Sequence, residues 1–298
     1  MFNSFSKSIL FAPLLSLLLG GVLVVSCGDD DNEEDVQTSS SDQNVGNESS
    51  DNGNGGNGSS DNGNGGTPAF DGEDKVYTVN GVSFKMIAVK SGTFQLGSDD
   101  WYDNEKPVHQ VTLSDYYIGE TEVTQELWSA VMGSNPSEFP GNMQRPVEMV
   151  SWNDCQTFIS RLNELTGETF RLPTEAQWEY AARGGNKAQG RLYSGSDAID
   201  DVAWYYDNSG GMTHPVKTKA PNELGIYDMS GNVFEWCSDW YGSYSSAAQT
   251  DPTGPATGSY RVRRGGSWDD IAASCRVAYR ISGAPTNTIN YLGLRLAY

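Results

Sequence analysis

Apolar and polar positions alternate from Val76 to Val89 (VYTVNGVSFKMIAV) around a central Asn80-Gly81. Period-two alternation predicts a strand pair with one buried face, and Asn-Gly suits the positive φ of a tight hairpin turn. Three later segments show helical spacing and are well punctuated. Thr124 is placed to cap Gln125–Met132, with Gly133 as the stop. Ser151-Trp152-Asn153-Asp154 opens a second helix in an arrangement close to a capping box. In it Trp152, Cys155, Phe158, Ile159, Leu162 and Leu165 recur on one face, and Gly167 ends it. Thr174-Glu175-Ala176-Gln177 after Pro173 is a capping box for a third helix running to Gly184-Gly185. Short strands are predicted at Thr93–Gly97, Val111–Leu113, Arg261–Trp268, Val277–Ile281 and Leu294–Leu296. The result is an α+β chain with much irregular backbone, whose polar groups need partners outside regular ladders.

The first 74 residues follow a different pattern. Ile9 to Val25 is apolar but broken by Pro13, Ser16, Gly20 and Gly21, with Lys7 ahead of it. This reads as a signal peptide over 1–26 rather than a spanning helix, which needs ~20 apolar residues. Val24-Val25-Ser26-Cys27 resembles the lipobox of bacterial lipoproteins, although Val24 stands where Leu is usual. That resemblance makes Cys27 the lipidated residue; a structural thiol would have nothing to pack against there. Residues 28–74 hold thirteen acids and no Lys or Arg, starting with Asp29-Asp30-Asp31 and continuing through a polar repeat (SSDNGNGGNG, SSDNGNGG). Such a stretch cannot collapse into a core, so 27–74 is expected to be a disordered tether with a reach of ~35 Å. The acidic run after Cys27 resembles signals that route lipoproteins to the outer face of the outer membrane. The expected location is the cell envelope, as an outer-membrane lipoprotein open to surface display.

Composition narrows the chemistry. The chain of 298 residues has a net charge of -20, and much of that excess lies before residue 75. A nucleic-acid partner is excluded, because phosphate binding needs a basic surface. Only two histidines, His109 and His214, exist, so no three-histidine metal site is available. Each is expected to be a hydrogen-bonded structural group.

The order of motifs carries a family resemblance. Met86-Ile87-Ala88-Val89 leads to Gly92-Thr93-Phe94 and Gly97, then to Glu105, Pro107 and His109, and to Glu122-Val123-Thr124. Pro146-Val147 and Val150-Ser151-Trp152-Asn153-Asp154 follow, then Arg171-Leu172-Pro173-Thr174-Glu175-Ala176-Gln177-Trp178-Glu179-Tyr180. Gly225-Ile226-Tyr227-Asp228-Met229-Ser230-Gly231-Asn232-Val233-Phe234-Glu235-Trp236, Arg264-Gly265-Gly266-Ser267-Trp268 and Gly293-Leu294-Arg295 complete the set. Together they resemble the sulfatase-modifying-factor family, whose founding member is the formylglycine-generating enzyme, across residues 75–298. The fold implied is a loop-rich variant of the C-type lectin fold.

The resemblance also implies chemistry. The formylglycine-generating enzyme oxidises a sulfatase cysteine with copper and oxygen, its copper held by two thiolates shortly after the Arg-Gly-Gly-Ser strand. Here that stretch reads Trp268-Asp269-Asp270-Ile271-Ala272-Ala273-Ser274-Cys275-Arg276. Asp269 and Asp270 stand near the first thiolate's place, and Cys275 lies too close to Arg276 to match the second. No catalytic residue is therefore assigned and copper is not expected; a formylglycine-generating oxidase with a divergent metal site is the alternative. The iron-dependent branch of ergothioneine synthesis is excluded by the histidine count. Calcium is implied at Asp228, Gly231, Val233 and Glu235, the competing reading being a turn held by carboxylate-to-backbone hydrogen bonds. A second family calcium site would fall at Val202, Ala203, Asn208 and Gly210, where only Asn208 has a suitable side chain. Cys155 is expected to be buried and inert, and Cys237 with Cys275 to form a disulfide. Trp152-Asn153-Asp154 resembles the sugar-coordinating tripeptide of C-type lectins but opens a helix here. Trp101, Tyr102, Tyr205 and Tyr206 are aromatics able to stack on a glycan or peptide if exposed. The function expected is a binding or structural part of the envelope, joined to the membrane by lipid and to a protein or glycan partner.

Overall fold

The computed structural model describes residues 70–298. The expected signal peptide, Cys27 and the expected tether up to residue 69 lie outside the described residues. Phe70 and Asp71 already rest on the domain, with Phe70 against the Tyr117 ring at 5.0 Å and the Tyr117 hydroxyl donating to Asp71.

Three small sheets and four helices make up the domain. β1 (Lys75–Val79) and β2 (Val82–Val89) form the hairpin, with Asn80 and Gly81 both at positive φ, and β5 (Tyr116–Gly119) extends it antiparallel to β2. β3 (Gly92–Leu96) and β4 (His109–Leu113) pair antiparallel, and β7 (Gln249–Thr250) joins β4 in parallel. The third sheet has the order β10 (Leu292–Leu294), β6 (Phe234–Trp240), β8 (Arg261–Arg264), β9 (Arg280–Gly283). The chain end closes the domain: Tyr298 exchanges backbone hydrogen bonds with Tyr117, and Ala297 does so with Arg171.

The helices start where their caps predict. Thr124 accepts from the Leu127 amide ahead of α1 (Gln125–Met132). Ser151 and Asp154 form a reciprocal box ahead of α2 (Trp152–Thr166), and Thr174 and Gln177 do the same for α3 (Glu175–Ala182). α4 is one short turn, Ile199–Val202. On the first core cluster Trp128 of α1 stacks on Phe158 of α2, centroids 4.9 Å apart. Leu165, counted on the apolar face of α2, is exposed. α3 differs from the others because all eight of its residues are buried. Trp178, Tyr180 and Ala181 fill the second core cluster, and Glu175 and Glu179 go into the interior with them.

Buried charge must be paired or it destabilises heavily. Four arginines that are themselves fully buried meet this need. Arg280 grips Glu175 through two hydrogen bonds of 2.6 and 2.7 Å, and Arg264 bonds Glu179. Arg276 holds Glu105 at 2.9 and 2.6 Å, a contact between residues 171 positions apart in the chain. Arg295 binds Glu235 with both Nε and a terminal nitrogen. Their remaining donors satisfy loop carbonyls: Asn104 and Gly242 by Arg280, Ala273 by Arg276, Val277 and Ala278 by Arg264, Gly119 and Tyr227 by Arg295.

Two strand expectations shift. The strand expected at Val277–Ile281 begins only at Arg280, because Tyr279 closes a turn onto the Arg276 carbonyl and Val277 bonds out to Leu192. The strand expected at Arg261–Trp268 stops at Arg264, since Gly265 and Gly266 both take positive φ and turn the chain. Among the described residues no helix is long and apolar enough to cross a membrane.

Candidate functional site

The loop Asp228–Glu235 enters β6 beneath the buried helix α3. Asp228 and Asn232 sit at positive φ, as does Gly231, where an added Cβ would strike the backbone of Trp204. Asp228 Oδ2 accepts from the Lys217 amide at 2.8 Å, and burial raises its carboxyl to about 6. Asn232 donates to Glu122 at 2.7 Å, and the Val233 amide donates to the same carboxylate at 3.0 Å. Burial, with the nearby Asp228 and Glu235, raises Glu122 well above the usual carboxylate range.

Calcium was implied on the Asp228 and Glu235 side chains and the Gly231 and Val233 carbonyls, and of these Glu235 is already engaged by a cation. Both Glu235 oxygens accept from Arg295, and Oε2 also accepts from Trp178 Nε1 at 2.6 Å. A hard divalent ion would have to displace a guanidinium from that carboxylate. At the second implied site, Asn208 turns its amide onto the Ala203 carbonyl at 3.0 Å and accepts from the Tyr205 amide. Val202 is buried beside it.

The expected Cys237–Cys275 disulfide is not formed: Cys155, Cys237 and Cys275 are all free. Cys237 points from β6 into the core under α3, whereas Cys275 ends a 3-10 turn (Ala272–Cys275) and packs with Tyr193, Val202, Ala203 and Tyr205. The third, Cys155, lies in the cluster between α1 and α2. Burial pushes all three thiols up, so none is poised as a thiolate. Gly266 keeps Cys275 covered, since a Cβ there would lie 2.8 Å from its sulfur. Asp270 bonds back to Ser267, and burial raises its carboxyl.

The remaining candidates divide plainly. His109 is held by the Pro107 carbonyl, and His214 contacts the Ser209 carbonyl while stacking on Trp204 at 3.8 Å. Trp101, Tyr102 and Tyr206 are exposed; Tyr205 is buried. Trp101 covers the Arg276 guanidinium at 4.0 Å, so one face of it already serves the domain.

A cleft of about 510 Å³ lies at the N-terminus of α3, where the sequence pointed to no site. Asp239 at the end of β6 forms its floor with Glu175 and Arg280, and the segment from Gly242 to Pro255 forms its outer wall. Asp239 Oδ2 accepts from the Glu175 amide at 3.0 Å and from the Ser238 hydroxyl at 2.9 Å. Burial, with the neighbouring Glu175 carboxylate, raises Asp239 to about 7. Glu175 goes the other way: burial would raise it, but Arg280 and Arg264 together hold it below the usual range.

Asp239 is protonated more readily in the folded than in the unfolded chain. Its contribution is therefore complete below about pH 4 and is lost as pH rises through about 7. Asp239→Asn should flatten the fall in stability across that window, by at most about 4 kcal/mol, as read by urea unfolding at a series of pH values. Chelation should leave the melting temperature of the purified chain unchanged. A melting temperature that falls with EDTA and returns with added Ca²⁺, and is insensitive to both in Asp228→Ala, would show that this loop takes calcium after all.

Residues 78–298 match the family described as the Sulfatase-modifying factor enzyme 1-like domain. The chain is similar to chaperone protein LppX of Paenibacillus barcinonensis, 35% identical over 248 residues that cover 66% of this chain and 83% of the relative. It is also similar to the formylglycine-generating enzyme of Streptomyces coelicolor, 32% identical over 285 residues, covering 71% and 88%. Among solved structures, Treponema denticola variable protein 1 aligns with a TM-score of 0.72 at 39% identity, over 78% of this chain and 99% of that one. The chain thus belongs to the sulfatase-modifying factor family, and its loop-rich α+β fold is that family's C-type-lectin-like variant.

Proposed function

We propose that this protein is a cell-envelope lipoprotein whose sulfatase-modifying factor domain serves as a binding or structural component and does not perform copper-dependent cysteine oxidation. One observation carries the second half of that reading: the three thiols of the domain are buried in three separate clusters. A Cu(I) site of the kind the oxidase uses needs two thiolates converging on one point with an open approach. Cys237 and Cys275 would have to leave different parts of the core to provide it. The residues after the Arg264-Gly265-Gly266-Ser267 turn bring carboxylates, Asp269 and Asp270, which are poor ligands for that ion.

The binding role is supported by similarity to a relative named as a chaperone protein. A protein or glycan partner would find exposed aromatic surface at Trp101, Tyr102 and Tyr206. Membrane attachment through lipid on Cys27, and an outer-membrane location, rest on the leader and its acidic continuation alone. The second reading, a formylglycine-generating oxidase with a rearranged site, draws on the 32% identity to the Streptomyces enzyme.

The test incubates the purified chain with copper, oxygen and a cysteine-containing sulfatase peptide, and follows the peptide by mass spectrometry with an aldehyde probe. No aldehyde above the protein-free control is expected. Aldehyde formation that is lost in Cys237→Ser or Cys275→Ser would replace the proposal with the oxidase reading.

A further inference from the structure

The cleft at the N-terminus of α3 has chemistry of its own. Asp239 is 4% exposed, and while its Oδ2 has two donors, its Oδ1 has no hydrogen-bond partner among the described residues and is left to the cleft that the residue lines. The charged neighbours cannot answer it. Glu175 gives both oxygens to Arg280 and accepts from the Tyr244 hydroxyl at 3.0 Å. Arg280 spends its other donors on the carbonyls of Asn104 and Gly242. The first amide of α3 is already bound by Asp239 itself, so the helix end holds nothing ready for an anion.

What remains is one acceptor of negative character in a partly apolar cleft. A divalent ion would need several more oxygens than this single atom offers. An ammonium fits better, because it brings three donors and no acceptor. One donor would meet Asp239 Oδ1, and the hydroxyls of Ser243 and Ser245 on the wall can take others. Leu96, Ala176, Pro252 and Pro255 offer apolar surface to a chain of methylenes. The volume falls in the ordinary range for small-ligand sites, about 300–1,000 Å³. The wall is also tightly built. At Gly254, with φ of +73°, a Cβ would lie 2.9 Å from the Asp239 Cβ and 3.1 Å from Oδ1. Only glycine lets this segment close beside the carboxylate.

We propose that this cleft binds an alkylammonium group, either the side chain of a lysine on a partner protein or a free alkylamine, with Asp239 as its counter-ion. The site does not depend on whether the chain oxidises cysteine, since no thiol lines it. The test titrates the full chain, at about pH 8, with Nα-acetyl-lysine amide, n-butylammonium and n-butanol, followed by ¹H–¹⁵N spectra. Both amines should shift resonances within 239–255, and the alcohol at equal concentration should not. Tighter binding of the lysine amide assigns the ligand to a protein side chain; equal binding assigns it to a free amine. Asp239→Asn should weaken binding by about tenfold or more, the loss expected for a charge-assisted hydrogen bond. Ser245→Trp leaves Asp239 in place and blocks the mouth, so it should abolish binding without unfolding α3. Amine shifts matched by butanol, absent altogether, or undiminished in both variants would overturn the proposal.

Discussion

Pairing of buried guanidinium with buried carboxylate is the constraint on which this domain is built. α3 runs through the interior with no solvent-facing side, yet it carries Glu175 and Glu179. Without Arg280 and Arg264 those charges would be intolerable in an apolar core. The same arginines do a second task that regular ladders cannot do in a loop-rich fold. Their planar arrays of donors reach carbonyls at 104, 242, 277 and 278, segments that belong to no common sheet. Arg276 and Arg295 repeat the pattern at Glu105 and Glu235. Irregular backbone is thereby fastened by side chains distributed along the last forty residues.

That network also decides what the neighbouring sites can be. Glu235 holds Arg295 and Trp178, so it is a structural anion before it is a metal ligand. Glu175 holds Arg280, which leaves Asp239 as the carboxylate without a cation in the cleft beside it. The thiols lie buried in three separate clusters, Cys237 between Glu235 and Asp239 on β6 and the other two elsewhere. As placed, the three thiols converge on no common point, while the cleft at Asp239 and the rings of Trp101, Tyr102 and Tyr206 are open to solvent.

Much of the fold was legible because its signals are local. Caps at Thr124, Ser151 and Thr174 act within one turn of their helices, and Asn80-Gly81 acts within one hairpin. β5 escaped because all four of its residues are buried, which removes the alternation that announces a strand. β6 escaped because its first four residues are all buried and charged Glu235 and Asp239 interrupt its apolar pattern. At the candidate site, the missing thiol pair could be read directly from residue identities after Ser267. The cleft could not, because Asp239 meets Glu175 across 64 residues and its wall is a segment with no periodic pattern. The Cys237–Cys275 pairing failed because two motifs that flank one region can still send their sulfurs into different cores, here the one under α3 and the one beside Tyr193 and Tyr205.

The most direct test of the buried-pair account is a double-mutant cycle on Glu105 and Arg276, measured by urea unfolding of the full chain. Arg276→Met and Glu105→Leu should each cost about 3–5 kcal/mol, because each leaves an uncompensated charge, and the double variant should recover most of that loss. Single variants that cost under about 1 kcal/mol, or a double variant whose loss equals the sum of the two, would contradict it.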